Sequence, residues 1–541
     1  MDRNRTLAWL AACVILAAAP GFADDYPRQP GVDALHYTFR VILSDSSDAI
    51  SCESTAELGF VRDGVTRFWL DLASPRDGKG MTVTSVSSEG EPVPYQHTGG
   101  RLTITLATAP RSGERRAFTV RYHGVPAAGL HIVANRYGQR TFFSWNWPVF
   151  AREWLPVIDH PSDKATSEFL VTAPAHYQVV ANGALVEERD LGGGARLTHW
   201  KESVPIASWL NNIGVAEFAV RHFDTVRGVP LQTWVFPRDR EAGVLTFEDP
   251  MRQAIDFFSE YIGPYPYEKL AGVQVSQMGG GMEHASEVFY GEKTVTGNPA
   301  LSLVAHEVSH QWWGDSVTEE DWNDAWLSEG FATYFAALAE EHYRGRDAFV
   351  RVMSRSRSAI LSMEKTTPVP VIHDNLAEIR DGRAPIGLVY QKGAWFLHML
   401  RATIGSDKFR TGIRSYYRRH RDANASTADL EAVMEQVSGQ KLDWFFEQWL
   451  RRGDSPAIVA QWSYDATDKR LHLELTQTQD ARPFRLLVKV AVQLPGLPER
   501  IVPVSIDSRS AATEIDCEKQ PQTVTLDPGV EVLMEARTLQ K

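Results

Sequence analysis

The sequence of 541 residues predicts a multidomain α+β chain: a sheet-rich first part, a largely helical middle and a sheet-rich end. Three observations carry this. The length far exceeds what one hydrophobic core serves, so roughly two to four domains are expected. Residues from about 30 to 225 and from about 455 onward alternate apolar with polar positions, the period of half-buried strands. From about 230 to 450 the apolar positions recur with helical spacing instead. The formal net charge of −12 comes without basic clusters, which argues against nucleic acid or anionic lipid as a partner. With three cysteines there is no disulfide framework, and Cys52 and Cys517 lie near opposite ends of the chain.

Residues 1–23 read as a removable leader. Arg3 and Arg5 precede an almost wholly apolar run from Leu7 to Ala19, and Pro20-Gly21-Phe22-Ala23 stands before Asp24. The small residues Gly21 and Ala23 suit a leader cleavage site, and the apolar run is short for a membrane span. Export to the periplasm or beyond is expected, with a mature terminus at Asp24 and no stable membrane insertion afterwards. Leu10-Ala11-Ala12-Cys13 also resembles a lipoprotein box, so a lipid-modified Cys13 is the alternative, and an uncleaved anchor is another.

The span 24–228 is expected to be an N-terminal β domain. Tyr37 to Val41, Leu102 to Leu106 and Phe118 to Tyr122 alternate, separated by Gly and Pro clusters. The segment 148–161, dense in Trp, Pro and charge, reads as a buried loop packing two sheets ahead of a direct substrate role.

The span 229–453 holds the chemistry. Asn298 suits a helix N-cap, Pro299 the first helical position and Gly314 a left-handed stop. Inside that helix lies His306-Glu307-Val308-Ser309-His310, in which two imidazoles one turn apart can reach one metal ion. Glu307 sits beside them, placed to take a proton from a water activated at that metal. Catalytic zinc usually keeps three protein ligands, and Glu329 is the candidate third. It stands in a second helical run from Trp322 to Tyr334, amid Trp, Leu and Phe, where an unpaired carboxylate is costly. Upstream, a strand from Leu270 to Ser276 runs into Gly279-Gly280-Gly281-Met282-Glu283-His284. Consecutive glycines let backbone approach a ligand or another segment closely. Beside a metal helix the natural ligand is an extended peptide adding a strand to this edge, with Glu283 facing its amine end. A third helix begins at Pro385, and Tyr390 on it offers a hydroxyl for the oxyanion of a hydrolytic reaction. Residues 454–541 return to alternation and read as a small β-sandwich.

These residues together resemble the aminopeptidase N family of zinc metallopeptidases, the M1 gluzincin type. The resemblance rests on Gly280-Gly281-Met282-Glu283-His284 against the family's G-x-M-E-N, on His306 through Gly314, on Trp326-Leu327-Ser328-Glu329-Gly330-Phe331-Ala332, and on Tyr390-Gln391-Lys392-Gly393. Arg152, Leu155-Pro156, Asp159-His160-Pro161 and Lys164 resemble its first-domain signature. The family implies a saddle-like β domain, a thermolysin-like catalytic domain and a β-sandwich. It implies one zinc per chain on His306, His310 and Glu329, Glu307 as general base and Tyr390 stabilising the transition state. Glu283 would hold the α-amine of a peptide substrate, beside Gly280, Gly281, Met282 and His284.

The chain departs from the family at three points. His284 stands where the family has Asn, and Trp147 where relatives often carry a polar amine holder. The sequence also stops after the β-sandwich, without the large helical domain of many relatives. An aminopeptidase is the favoured expectation. An endopeptidase or fragment-releasing exopeptidase is the alternative, and a catalytically silent peptide-binding module is the third reading.

Overall fold

The computed structural model describes residues 24–374, 376 and 386–541; the expected leader at 1–23 and Pro385 lie outside them. From residue 32 to 216 the chain builds three sheets. The largest has eight strands, with Val32–Ile42 between a parallel neighbour, Lys164–Pro174, and an antiparallel one, Ile50–Phe60. Along Ile50–Phe60 every second residue is buried, as alternation requires of a sheet with one face on the core. Phe39 and Phe169 are register partners whose rings lie 5.0 Å apart in that core.

A five-stranded sheet follows, in the order Ala219–Val226, Val229–Val235, Leu270–Val275, Glu287–Gly291, Gly281–Met282. Its first two strands form a hairpin through Arg227 and Gly228, both at positive φ as a tight two-residue hairpin turn requires. The change of sheet falls between Ala216 and Ala219. Leu270–Val275 is buried at every residue, the mark of a parallel strand covered on both faces. Gly281–Met282 is the edge strand.

Helices then dominate: Leu301–His310, Trp326–Arg344, Arg346–Thr366, Gly387–Ile404, Ser406–His420, Thr427–Ser438 and Asp443–Leu450. The first begins later than its sequence suggests. Ala300 has φ −101° and ψ 51°, outside the helical region, and its N–H donates to Thr246 O at 3.1 Å. Gly297 N–H likewise bonds Thr246 Oγ1, so tertiary contacts hold Asn298 and Pro299 ahead of the helix rather than at its cap. Gly314 is left-handed, with φ +102°, but lies past the helix end at His310. Residues 457–540 form a four-stranded and a three-stranded sheet, and Cys52 and Cys517 are both buried and unpaired. Among the described residues no helix is long and apolar enough to cross a membrane.

The segment 148–161 is tied to the first sheets, with Val157 bridged to Asp71. Arg152 Nε donates to Asp159 Oδ2 at 2.7 Å, and Asp159 Oδ1 accepts from Ser208 Oγ at 2.8 Å. Lys164 Nζ crosses to the loop after the His306–His310 turn, donating to Asp315 O, Ser316 O and Thr318 Oγ1 at 2.7–2.9 Å. Burial pushes this lysine down to about 7, against the pull of Asp422, Asp315 and Glu319.

Candidate metal centre and active site

Helical spacing puts His306 and His310 on one face of Leu301–His310, and Trp326–Arg344 packs across that face and brings up Glu329. His310 Nε2 lies 3.3 Å from His306 Nε2 and 3.3 Å from Glu329 Oε2, and His306 Nε2 lies 3.4 Å from the same oxygen. Two donors at zinc–ligand distance, opened by a tetrahedral angle, stand about 3.3 Å apart. The triangle therefore fits one tetrahedral cation with an open fourth position. His306, the most exposed of the three side chains at 20%, marks the open side.

A second carboxylate–histidine group, Glu283, Glu307 and His310, also converges within 4.8 Å. It competes poorly for a metal. His310 Nδ1 is 3.1 Å from Trp313 O, which can only accept, so in the neutral ring Nδ1 carries the proton and Nε2 keeps its lone pair. Ser328 Oγ lies 3.0 Å from the same Nδ1. This outer contact sets the tautomer and aims Nε2 at His306 and Glu329.

The charges call for a cation. Burial lifts the Glu307 carboxyl well above its ordinary value, and Glu283 adds to this. Burial lifts Glu283 itself to about 7, opposed by His310 and reinforced by Glu329. For Glu329 the same burial is outweighed by His310 and His306, which hold it down at about 2. Burial would lower His310, but Glu283 and Glu329 raise it well above the usual imidazole range. Glu283 Oε1 and Glu329 Oε2 are buried without a hydrogen-bond partner. Three carboxylates around two imidazoles, with orphaned oxygens, are what a divalent ion completes.

The glycine segment lies beside this cluster. A methyl group on Gly281 would stand 2.4 Å from the Glu307 carboxyl carbon, so the edge strand is held against Glu307 by the absence of a side chain. Met282 is buried and paired with Phe289. His284 is wholly buried, its ring edge-to-face with Phe289 at 4.7 Å, and neither ring nitrogen has a partner. The Tyr390 hydroxyl donates to Glu329 Oε1. Trp147 is half-buried and meets Trp322 edge-to-face at 6.4 Å.

One organising residue carried no role in the sequence reading. Gln311 Nε2 donates to Glu283 O at 3.3 Å, His284 O at 3.1 Å and Asp315 Oδ2 at 2.8 Å. Its Oε1 accepts from Ser286 N–H at 2.8 Å and Tyr265 Oη at 3.0 Å. It ties the Glu283 loop to the end of the Leu301–His310 helix. Its only sequence signal is its place directly after His310.

Residues 248–449 match the model of the peptidase family M1 domain, and residues 34–210 that of the peptidase M1 N-terminal domain. Glutamyl aminopeptidase of Bos taurus is 28% identical over 351 residues, covering 60% of this chain and 36% of that protein. Tricorn protease-interacting factor F2 of Thermoplasma acidophilum is 26% identical over 446 residues, 78% of this chain and 54% of that one. The chain thus spans about a third to a half of the length of these relatives. A crystal structure of an M1 zinc metallopeptidase from Deinococcus radiodurans superposes with a TM-score of 0.68 at 25% identity, covering 78% of this chain and 95% of that one. Another structure of that metallopeptidase is bound to a Tyr-Ser-Ala substrate. The chain belongs to peptidase family M1, and its cofactor is zinc.

Proposed function

We propose that the protein is an exported zinc aminopeptidase that removes N-terminal residues from peptides. The observation that carries this is the convergence of His306, His310 and Glu329 beside Glu307, with the Gly281–Met282 sheet edge against that base. Zinc, when bound, supplies a Lewis acid that makes water nucleophilic at neutral pH and polarises the substrate carbonyl. Glu307 takes the proton of the attacking water and returns it to the leaving amine nitrogen. The Tyr390 hydroxyl, next to Glu329, donates to the oxygen on which negative charge develops. The substrate lies as an added strand on the Gly281–Met282 edge, with Gly280, Met282 and His284 around it. Glu283 pairs with the α-ammonium and so counts the residues before the cut.

In this reading the first sheets form the family's saddle domain, the middle a thermolysin-like catalytic domain, and the two last sheets a β-sandwich. Cleavage after Ala23 delivers the chain to the periplasm or outside. Trp147 favours a second reading. It offers an aromatic ring in place of a polar amine holder, so longer fragments or internal cuts are admitted more readily. A peptide-library digest read by mass spectrometry, with metal content measured on the same sample, tests both. Release of single N-terminal residues, lost on chelation and recovered with zinc, is expected. Internal cuts alone would shift the assignment to endopeptidase, and zinc-independent cleavage would overturn it.

A further inference from the structure

Asp24, the first described residue, is built into the protein rather than trailing from it. Its side chain is 1% exposed. Ser162 N–H donates to His160 Nδ1 at 3.2 Å, which leaves Nε2–H to donate to Asp24 Oδ2 at 2.9 Å. The same oxygen accepts from Trp322 N–H at 3.3 Å, and Oδ1 from Tyr26 N–H at 3.0 Å. Tyr26 stacks on His160 with ring centroids 4.7 Å apart. His160, from the motif that the sequence offered as a first-domain signature, is therefore one wall of a socket for Asp24.

The backbone nitrogen of Asp24 is the notable atom. It lies 3.2 and 3.0 Å from the two carboxylate oxygens of Asp321, a residue 297 positions away. One amide N–H has a single proton and serves one acceptor well, whereas an ammonium has three protons and a charge that suits both oxygens. The local charge points the same way. Asp321 has one guanidinium partner, that of Arg28, which donates to Asp321 Oδ2 at 3.2 Å, is one-third exposed and is shared with Glu320.

The sequence places the leader cleavage at the peptide bond before this nitrogen. Water, added across the Ala23–Asp24 bond by a leader peptidase, leaves a carboxylate on Ala23 and an amine on Asp24. That amine takes a proton from solvent near neutral pH. We propose that the new α-ammonium of Asp24 is an ion-pair partner of Asp321, so that removal of the leader completes the junction between the first sheets and the catalytic helices. Asp321 is well placed to transmit this. Its Oδ1 accepts from Asn323 N–H at 3.0 Å, capping the Trp322–Asp324 turn that leads into the Glu329 helix. Trp322 in that turn packs against Trp147 and Trp209.

The inference rests on the leader reading for where the chain is cut, and not on the peptidase reading. The test is a cycle of four proteins: a chain beginning at Asp24 and one with a single glycine ahead of it, each as wild type and as Asp321→Asn. The added glycine restores an amide at Asp24 and moves the charge away. It is expected to lower the apparent Tm by about 2–8 °C in the wild type and by less than about 1 °C in Asp321→Asn. Equal losses in both backgrounds, or no loss in the wild type, would overturn the pairing. A second measurement needs no variant that must fold. Acylation of the α-amine by a small succinimidyl ester is expected to be at least about 10-fold slower in the folded Asp24 chain than in the unfolded one. Equal rates would show a free terminus and end the proposal.

Discussion

Gly330 and Gly393 meet backbone to backbone where the Trp326–Arg344 and Gly387–Ile404 helices cross: a methyl on Gly330 would lie 2.9 Å from the Gly393 Cα. Each glycine sits close in sequence to a site residue, Glu329 on one helix and Tyr390 on the other. The close crossing is what brings the Tyr390 hydroxyl onto Glu329 Oε1. Gly330→Ala or Gly393→Ala must push the helices apart by a fraction of an ångström to about 1 Å. Displacement of that order costs roughly 10²-fold in rate. A fall in kcat/KM of about that size, with the fold retained by circular dichroism, is the expected result.

The Tyr390–Glu329 bond gives Tyr390 two separable duties. If its hydroxyl serves the oxyanion, Tyr390→Phe lowers kcat by roughly 10²–10³-fold and leaves KM and zinc content nearly unchanged. If it mainly orients Glu329, zinc affinity falls by roughly 10–100-fold. The first outcome is expected, read by kinetics and metal analysis on one preparation. Glu307→Gln, by contrast, is expected to lose at least about 10²-fold in kcat with zinc still bound.

Gln311 bonds five groups on three sides of the site loop, and leucine can satisfy none of them. Each buried polar group left without a partner costs roughly 1–3 kcal/mol. Gln311→Leu is expected to lose at least that much stability in urea unfolding and to raise KM through the loosened Glu283 loop, while binding zinc. Unchanged KM would mean that the loop is held by other contacts.

The local patterns were legible and the long-range ones were not. Period-two alternation announced the first sheets, and His306, His310 and Glu329 could be joined because spacing fixes a helix face and a glutamate among Trp and Phe needs a partner. The Leu301–His310 helix starts later than its sequence suggests because Thr246, far upstream, bonds Gly297 and Ala300 ahead of it. Gln311, Lys164 and Asp321 act through partners 25 to 297 residues away, and no local periodicity encodes such pairings. Gly330 and Gly393 were visible as letters of motifs, but their meaning lies in a crossing of two helices.

His284 makes acid stability a sensitive property. Burial pushes its imidazole down to about 3, far below the ordinary value of about 6.5. Between those values the unfolded chain binds a proton that the folded chain refuses, so stability falls as pH drops from about 6.5 toward 3. At pH 5 this amounts to about 2 kcal/mol relative to neutral pH. His284→Asn removes the titrating group. The variant is expected to lose less stability than wild type between pH 7 and pH 5, compared by urea midpoints. Parallel losses would show that His284 finds a proton partner in the folded state.

The central claim, that Glu283 reads a free amino terminus beside a zinc hydrolase centre, is tested by one comparison. The value of kcat/KM is measured for a peptide and its N-acetylated form, on wild type and Glu283→Ala. One charge-assisted hydrogen bond is worth about 1.5–3 kcal/mol, so the substitution is expected to cost about 10–200-fold on the free peptide. The acetylated peptide, cut more slowly by wild type, is expected to lose far less. Equal losses on both peptides would contradict the claim and leave Glu283 as a structural neighbour of His310.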